Sequence, residues 1–190
     1  MAEFNLIING VGGQGLITLL KIISIAAQKE DYDLKTSELH GLSQRGGSVE
    51  VHIRFGKKIY SPLVSQGKAN LVISLESQES LNGLHYSSSQ TTFLINQYKT
   101  PTFTKDLSEK EILGVVKKIS KNVFLIPASQ ICQKEFRSEV VAGIYLLGLA
   151  FSKKLLPLNP NSIASAIKKI IPGKYRELNL KAFNLAKKES

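Results

Sequence analysis

Phe4-Asn5-Leu6-Ile7-Ile8-Asn9-Gly10-Val11-Gly12-Gly13-Gln14-Gly15-Leu16 opens the chain with three kinds of sequence in thirteen residues. Residues 4–9 are a short apolar run with β-branched side chains, bounded by glycine, and read as a buried strand. Residues 10–15 are a turn. From Leu16 to Lys29 the apolar residues fall at helical spacing: Leu16, Leu19, Leu20, Ile23, Ala26 and Ala27. Strand, glycine turn and helix in this order are the start of an α/β unit.

Working outward, residues 33–36 read as a second strand and residues 40–47 as a polar, glycine-rich loop. Val49, Val51, Ile53 and Phe55 then alternate with Glu50, His52 and Arg54. That period of two predicts a strand with one exposed face. Gly56-Lys57-Lys58 reads as a tight turn, across which residues 59–60 pair back as a hairpin until Pro62 ends it. Residues 70–75, 91–96 and 122–126 are further apolar strands. Residues 108–120 form a helix with Ser108 as N-cap, Glu109 and Glu111 in its first turn, and Lys117 and Lys118 near its end. The polar segment 76–83 stays without an element. After Ala128 the pattern is helical, over residues 129–136, 140–151, 162–170 and 174–187.

This order predicts an α/β fold: an open, Rossmann-like, mostly parallel sheet with helices on both faces, an antiparallel hairpin and a helical C-terminal arm. The 190 residues suit one domain, with an α/β core over 1–152 and a helical basic arm over 153–190. With 43% hydrophobic and 21% charged residues the composition is globular. The formal charge is +10, and beyond residue 152 nine basic residues face two acids. Such a balance attracts anionic partners of several kinds, or is only a solvated basic surface.

The single cysteine, Cys132, rules out a disulfide framework within the chain and a cluster held by its own thiolates, which takes about four. It also points to a reducing, cytoplasmic compartment. Cys132 falls in a helical stretch among apolar residues and reads as a buried structural thiol. The apolar run 16–27 is interrupted by Lys21, lacks a basic stretch before it, and follows a glycine turn. It reads as neither a signal peptide nor a membrane span.

Gly10-Val11-Gly12-Gly13-Gln14-Gly15 matches G-x-G-x-x-G in the context that motif requires. Gly10, Gly12, Gly13 and Gly15, with Gln14, are therefore cofactor- or anion-binding candidates. Glycines let the backbone turn sharply and admit a phosphate to the amides at the helix N-terminus. A dinucleotide site also wants an acid about 20 residues on, at the end of the second strand. That count lands near residues 35–37, and Glu38 is slightly late. Three readings stay open: a tight turn that binds nothing, a bound anion or cofactor tail, and a full dinucleotide site.

Residues 36–48 put Glu38, His40, Gln44 and Arg45 into eight positions, with Gly41, Gly46 and Gly47 around them. Arg45 before two glycines can present a planar fork beside backbone N–H groups, which suits a carboxylate or phosphate. His40 can move a proton near neutral pH. His40 and Arg45 are the catalytic candidates. Glu38, Gln44, Arg45, Gly46 and Gly47 join the glycine turn as binding candidates. The competing reading is a polar turn satisfying its own backbone. His40, His52 and His85 are too scattered for a metal site, and neither a nucleophile elbow nor a phosphate loop with Gly-Lys-Ser/Thr is present.

Taken together, residues 10–15, Lys35-Thr36-Ser37-Glu38, His40-Gly41 and Gln44-Arg45-Gly46-Gly47-Ser48 resemble the gamma-type domain of 2-oxoacid:ferredoxin oxidoreductases. Leu146-Leu147-Gly148 and Leu178-Asn179-Leu180-Lys181-Ala182-Phe183 resemble the small subunit of the indolepyruvate type in particular. Gly143 departs from that pattern, which has an asparagine there. The resemblance spans nearly the whole chain. It implies a subunit of an enzyme that oxidatively decarboxylates a 2-oxoacid, passes electrons to ferredoxin and makes an acyl-CoA. Thiamine diphosphate, magnesium and iron–sulfur clusters would sit on a larger partner chain, with coenzyme A as co-substrate. The chain would be inactive alone and would form homodimers when isolated. Two other readings compete. A free-standing NAD(P)- or flavin-binding oxidoreductase would use the glycine turn. A nucleic-acid-binding protein would use the basic arm, but with 7% aromatic residues and no recognised motif neither nucleic acid nor membrane is expected as a partner.

Overall fold

The computed structural model describes residues 3–41, 47–100 and 107–188. Along the chain it runs β1 (Phe4–Val11), α1 (Leu16–Lys29), β2 (Asp33–His40), β3 (Ser48–Gly56), β4 (Leu71–Ser74), a 3-10 helix (Gln78–Tyr86) and β5 (Thr92–Asn96). Then come α2 (Glu109–Ile119), β6 (Val123–Ile126), α3 (Ala128–Phe136), a short 3-10 turn (Glu139–Val141), α4 (Ala142–Ser152), α5 (Pro160–Ile170) and α6 (Gly173–Lys188). The six strands lie in the order β2-β3-β1-β4-β5-β6. β1, β4, β5 and β6 are parallel to one another, whereas β3 runs antiparallel to both β1 and β2.

The parallel strands are near-continuous apolar runs because both of their faces are covered. Side-chain alternation divides them between two cores. Leu6, Ile8, Leu71, Ile73 and Leu94 face α1 and α4. Ile7, Val72, Phe93 and Ile95 face Ile112 and Val116 of α2. The α2 N-terminus is closed by a capping box, in which Ser108 and Glu111 bond each other's backbone N–H.

Every residue of α4 from Ala142 to Phe151 is buried. This helix lies inside the larger core and packs on α6, while α5 packs on α1. Ile163, Ala166 and Ile167 of α5 and Ala182, Phe183 and Ala186 of α6 belong to the same core as the sheet. Gly148 permits the α4–α6 approach: a Cβ there would run into the Phe183 carbonyl and meet the Ala186 Cβ at 3.0 Å.

The structure corrects the reading of residues 49–60. Residues 59–60 do not pair back on β3, whose two neighbours are β1 and β2. After Gly56 the chain crosses the face that the alternation marked as exposed. Asp33 accepts a hydrogen bond from the Ile59 N–H at 2.7 Å. Arg54 donates to the carbonyls of Ser61 and Leu63 at 2.7 and 3.0 Å, and the Val64 N–H donates to His52 Nδ1 at 3.0 Å. His52 and Arg54 are thereby buried. The segment after β4, left without an element above, forms the 3-10 helix. It lies so close to β4 that a Cβ on Gly83 would sit 2.8 Å from Val72 Cγ1.

Candidate functional site

The glycine turn joins β1 to α1 at the carboxyl ends of the parallel strands, where open α/β sheets bind ligands. Gly13 has φ 104° and Gly15 φ 86°, values an L side chain adopts only with strain. Gly15 is the N-cap of α1 and supplies no side-chain cap. The first turn of that helix therefore offers amides and positive potential to an anion instead of to its own cap.

Several of the turn's amides are engaged within the protein. The Gly12 N–H donates to the Gly47 carbonyl at 2.9 Å, and the Gln14 N–H to the Val11 carbonyl at 3.1 Å. The Val11 N–H donates to Gln14 Oε1 at 2.8 Å, and Gln14 Nε2 donates to Glu76 Oε2 at 3.1 Å. Both polar ends of the Gln14 side chain thus hold the turn together. The whole stretch from Val11 to Gly15, with Thr18, lines the adjoining cavity.

That cavity has a volume of about 700 Å³. Its floor is the glycine turn with Leu75 and Asn96 from the ends of β4 and β5. Its walls come from the 139–144 region and from α6, with Val140, Ile144, Leu178 and Tyr175 among them. Among the described lining residues only Glu139 carries a formal charge. Tyr98, on the wall, has its phenol pushed up by burial and by the charges of Glu139 and Glu76. Lys168, Lys169, Lys174 and Arg176 are exposed around the α5–α6 turn, whose Ile171 and Pro172 also line the cavity.

Of the residues singled out from sequence, Gly10, Gly12, Gly13, Gln14 and Gly15 meet Gly47 here, so the turn and the end of the polar loop come together. Glu38 and His40 lie on β2, level with the turn but two strands across from it, because β3 stands between β2 and β1. Glu38 Oε2 and His40 Nε2 approach to 3.5 Å with side chains 38% and 54% exposed, and they do not line the cavity. Gln44, Arg45 and Gly46 lie outside the described residues. Glu76, Thr100 and Tyr98 were not singled out, and Leu178 and Asn179 of the α6 wall were noted only for the family likeness, not as site residues. Glu76 carries one signal, a carboxylate just past an apolar strand, but its contacts join residues 62 and 24 positions apart. Cys132 is buried, as its apolar surroundings predicted.

The family model for pyruvate ferredoxin/flavodoxin oxidoreductase matches residues 5–189. The chain belongs to that family. An indolepyruvate oxidoreductase subunit IorB of Archaeoglobus fulgidus is 33% identical over 189 residues, covering 96% of this chain and 93% of its own. The fold is shared with a keto/oxoacid ferredoxin oxidoreductase gamma subunit from Geobacter sulfurreducens (TM-score 0.68, 18% identity), with 96% of this chain and 95% of that chain covered. It is also shared with the 2-oxoglutarate:ferredoxin oxidoreductase of Magnetococcus marinus, solved with 2-oxoglutarate, coenzyme A and succinyl-CoA (TM-score 0.74, 19% identity). That match covers 97% of this chain but 30% of the other, so there the fold is one part of a longer chain.

Proposed function

We propose that this chain is the small subunit of a cytoplasmic 2-oxoacid:ferredoxin oxidoreductase acting on an aryl pyruvate. In the reaction the C1–C2 bond of the oxoacid breaks and CO2 leaves. The acyl carbon forms a thioester with coenzyme A, and two electrons pass to two oxidised ferredoxins. Thiamine diphosphate, which would supply the electron sink for decarboxylation, and the magnesium that would anchor its diphosphate belong to a larger partner, as do the clusters that carry the electrons. One buried cysteine cannot ligate a cluster, and the described residues bring together no three His, Cys, Asp or Glu side chains able to hold a metal ion. When isolated, the chain forms homodimers through the surface that otherwise meets this partner.

Within the complex, the glycine turn holds an anionic group, either the phosphates of coenzyme A or the oxoacid carboxylate. The observation that carries this is the opening of the uncapped α1 N-terminus onto the 700 Å³ cavity. The anion sits against the amides of Gly13, Gly15 and the first helical turn. The names of the relatives support the substrate class, and the coenzyme A in the Magnetococcus structure supports the ligand chemistry. The rival dinucleotide-binding reading needs an acid on the strand beside β1. In this sheet β1 lies between the antiparallel β3 and the parallel β4, so the second strand, β2, with Glu38, is one strand further away.

Co-expression with the large thiamine-dependent subunit, purification by a tag on this chain, and assay of ferredoxin reduction with indolepyruvate and coenzyme A test the role. Co-purification with CoA-dependent reduction supports it. A chain that emerges alone and gains no activity on mixing overturns it. Thr18→Glu tests the anion site: a carboxylate suits the first turn of a helix but repels an anion bound there. It is expected to raise the KM for coenzyme A or for the oxoacid about tenfold or more. Unchanged values for both would sink the anion-holding half.

A further inference from the structure

We propose that Glu76 is a positioning residue for the anion site: by accepting from the Gln14 amide it fixes which way that amide faces, and so sets the shape of the glycine turn. The inference rests on the anion-holding reading above and adds to it a residue outside both the turn and the polar loop.

Glu76 is 4% exposed. Each of its described hydrogen bonds is one it accepts. Gln14 Nε2 donates at 3.1 Å and Thr100 Oγ1 at 2.6 Å to Oε2, and the Thr100 N–H donates at 3.1 Å to Oε1. A carboxylate only accepts, whereas an amide can do either at each end. With Glu76 in place, Nε2 of Gln14 must turn toward it. Oε1 is left for the Val11 N–H, at 2.8 Å. The folded-back side chain needs Gly10 beneath it, because a Cβ there would lie 2.6 Å from Gln14 Oε1.

Glu76 itself stands on a fixed platform. Its neighbours are tied to two strands and to the segment after β5: the Leu75 N–H donates to the Asn9 carbonyl of β1 at 2.8 Å, Ser77 Oγ to the Asn96 carbonyl of β5 at 3.0 Å, and the Ser77 N–H to the Tyr98 carbonyl at 2.9 Å. Asn96 donates back to the Leu75 carbonyl at 3.1 Å and to Ser129 Oγ of α3 at 2.8 Å. A site held by such supporting bonds keeps its geometry to a fraction of an ångström, which is what affinity for a small anion requires. The same carboxylate ties the turn to Thr100, itself on the cavity wall. The carboxylate's own charge opposes an anion nearby, so its orienting effect is the reason to have an acid here.

The test uses the complex of this chain with its large subunit. Glu76→Gln keeps size but lets the Gln14 amide flip and release the Val11 N–H. The expected result is a rise of about five- to tenfold in the dissociation constant of coenzyme A by calorimetry, or in the KM of the oxoacid if that is the ligand. With either ligand, kcat should stay within about twofold and the melting temperature within a few degrees. Gln14→Leu should reproduce the effect, and the double variant should be no worse than either single one. Unchanged affinity for both ligands in Glu76→Gln, in a complex where Thr18→Glu weakens one of them, overturns the positioning role alone. A double variant with fully additive effects overturns the route through Gln14. If Thr18→Glu also changes nothing, the anion-holding reading itself fails.

Discussion

β1 has β4 on one side and β3 on the other, and the two flanks are built from different chemistry. Toward β4, β5 and β6 the strands are parallel and bury Val72, Ile73, Phe93 and Leu94 in dry contacts. Toward β3 and β2 the sheet is antiparallel, and its 3-10-helix side buries a polar network. Arg54 donates from Nε to Asn5 Oδ1 at 2.9 Å and from Nη2 to Glu3 at 2.7 Å, besides its two carbonyl acceptors. His52 pairs with Glu50 at 3.0 Å while its Nδ1 accepts from Val64, so the proton sits on Nε2. The lesson is that burial has two routes. Apolar strands need only a cover, whereas polar ones need a cover that supplies partners, here the segment 57–66.

If that contrast is real, the parallel flank should be sensitive to volume and the polar flank to lost partners and to pH. The largest effect is expected for Leu94→Ala, a loss of about 2–5 kcal/mol in urea unfolding, the same at pH 5 and pH 8. A pH-dependent loss there would break the comparison. Arg54→Ala should cost about 2–3 kcal/mol, because buried Asn5 Oδ1 and the part-buried carbonyls of Ser61 and Leu63 lose their donor. It should also flatten the acid limb. Bonding to Arg54, and then to Asn5, holds the Glu3 carboxyl below its ordinary 4.5. The stability this gives is present above that value and is lost as pH falls through the lower folded-state value. The Arg54 variant should lack that loss. The smallest effect belongs to Tyr86, whose phenol is pushed up to about 12 by burial and by its bond to Glu50. Its contribution is full below pH 10 and disappears as pH rises through 12. Tyr86→Phe should therefore remove part of the alkaline decline. An identical decline in the variant would show that the network does not reach Tyr86.

The opening unit, the three other parallel strands and the capped α2 were legible because each is coded locally. Apolar runs, a helical period and a capping residue all act within a few residues of one another. The glycine turn was legible for the same reason, since left-handed φ at Gly13 and Gly15 demands glycine at those positions. β3 was legible as a strand but not as a central one. Alternation reports which residues share a face, and cannot tell whether water or chain covers that face. The sequence alone therefore carried the elements, the turn and the likeness to an oxidoreductase family. Only the tertiary structure decided that β3 separates β1 from β2, which sets Glu38 and His40 two strands across from the turn and outside the cavity lining. Only it brought Glu76 beneath Gln14 and α6 over the cavity. These pairings join distant positions, and their stabilisation comes from excluding water between surfaces that no local pattern relates.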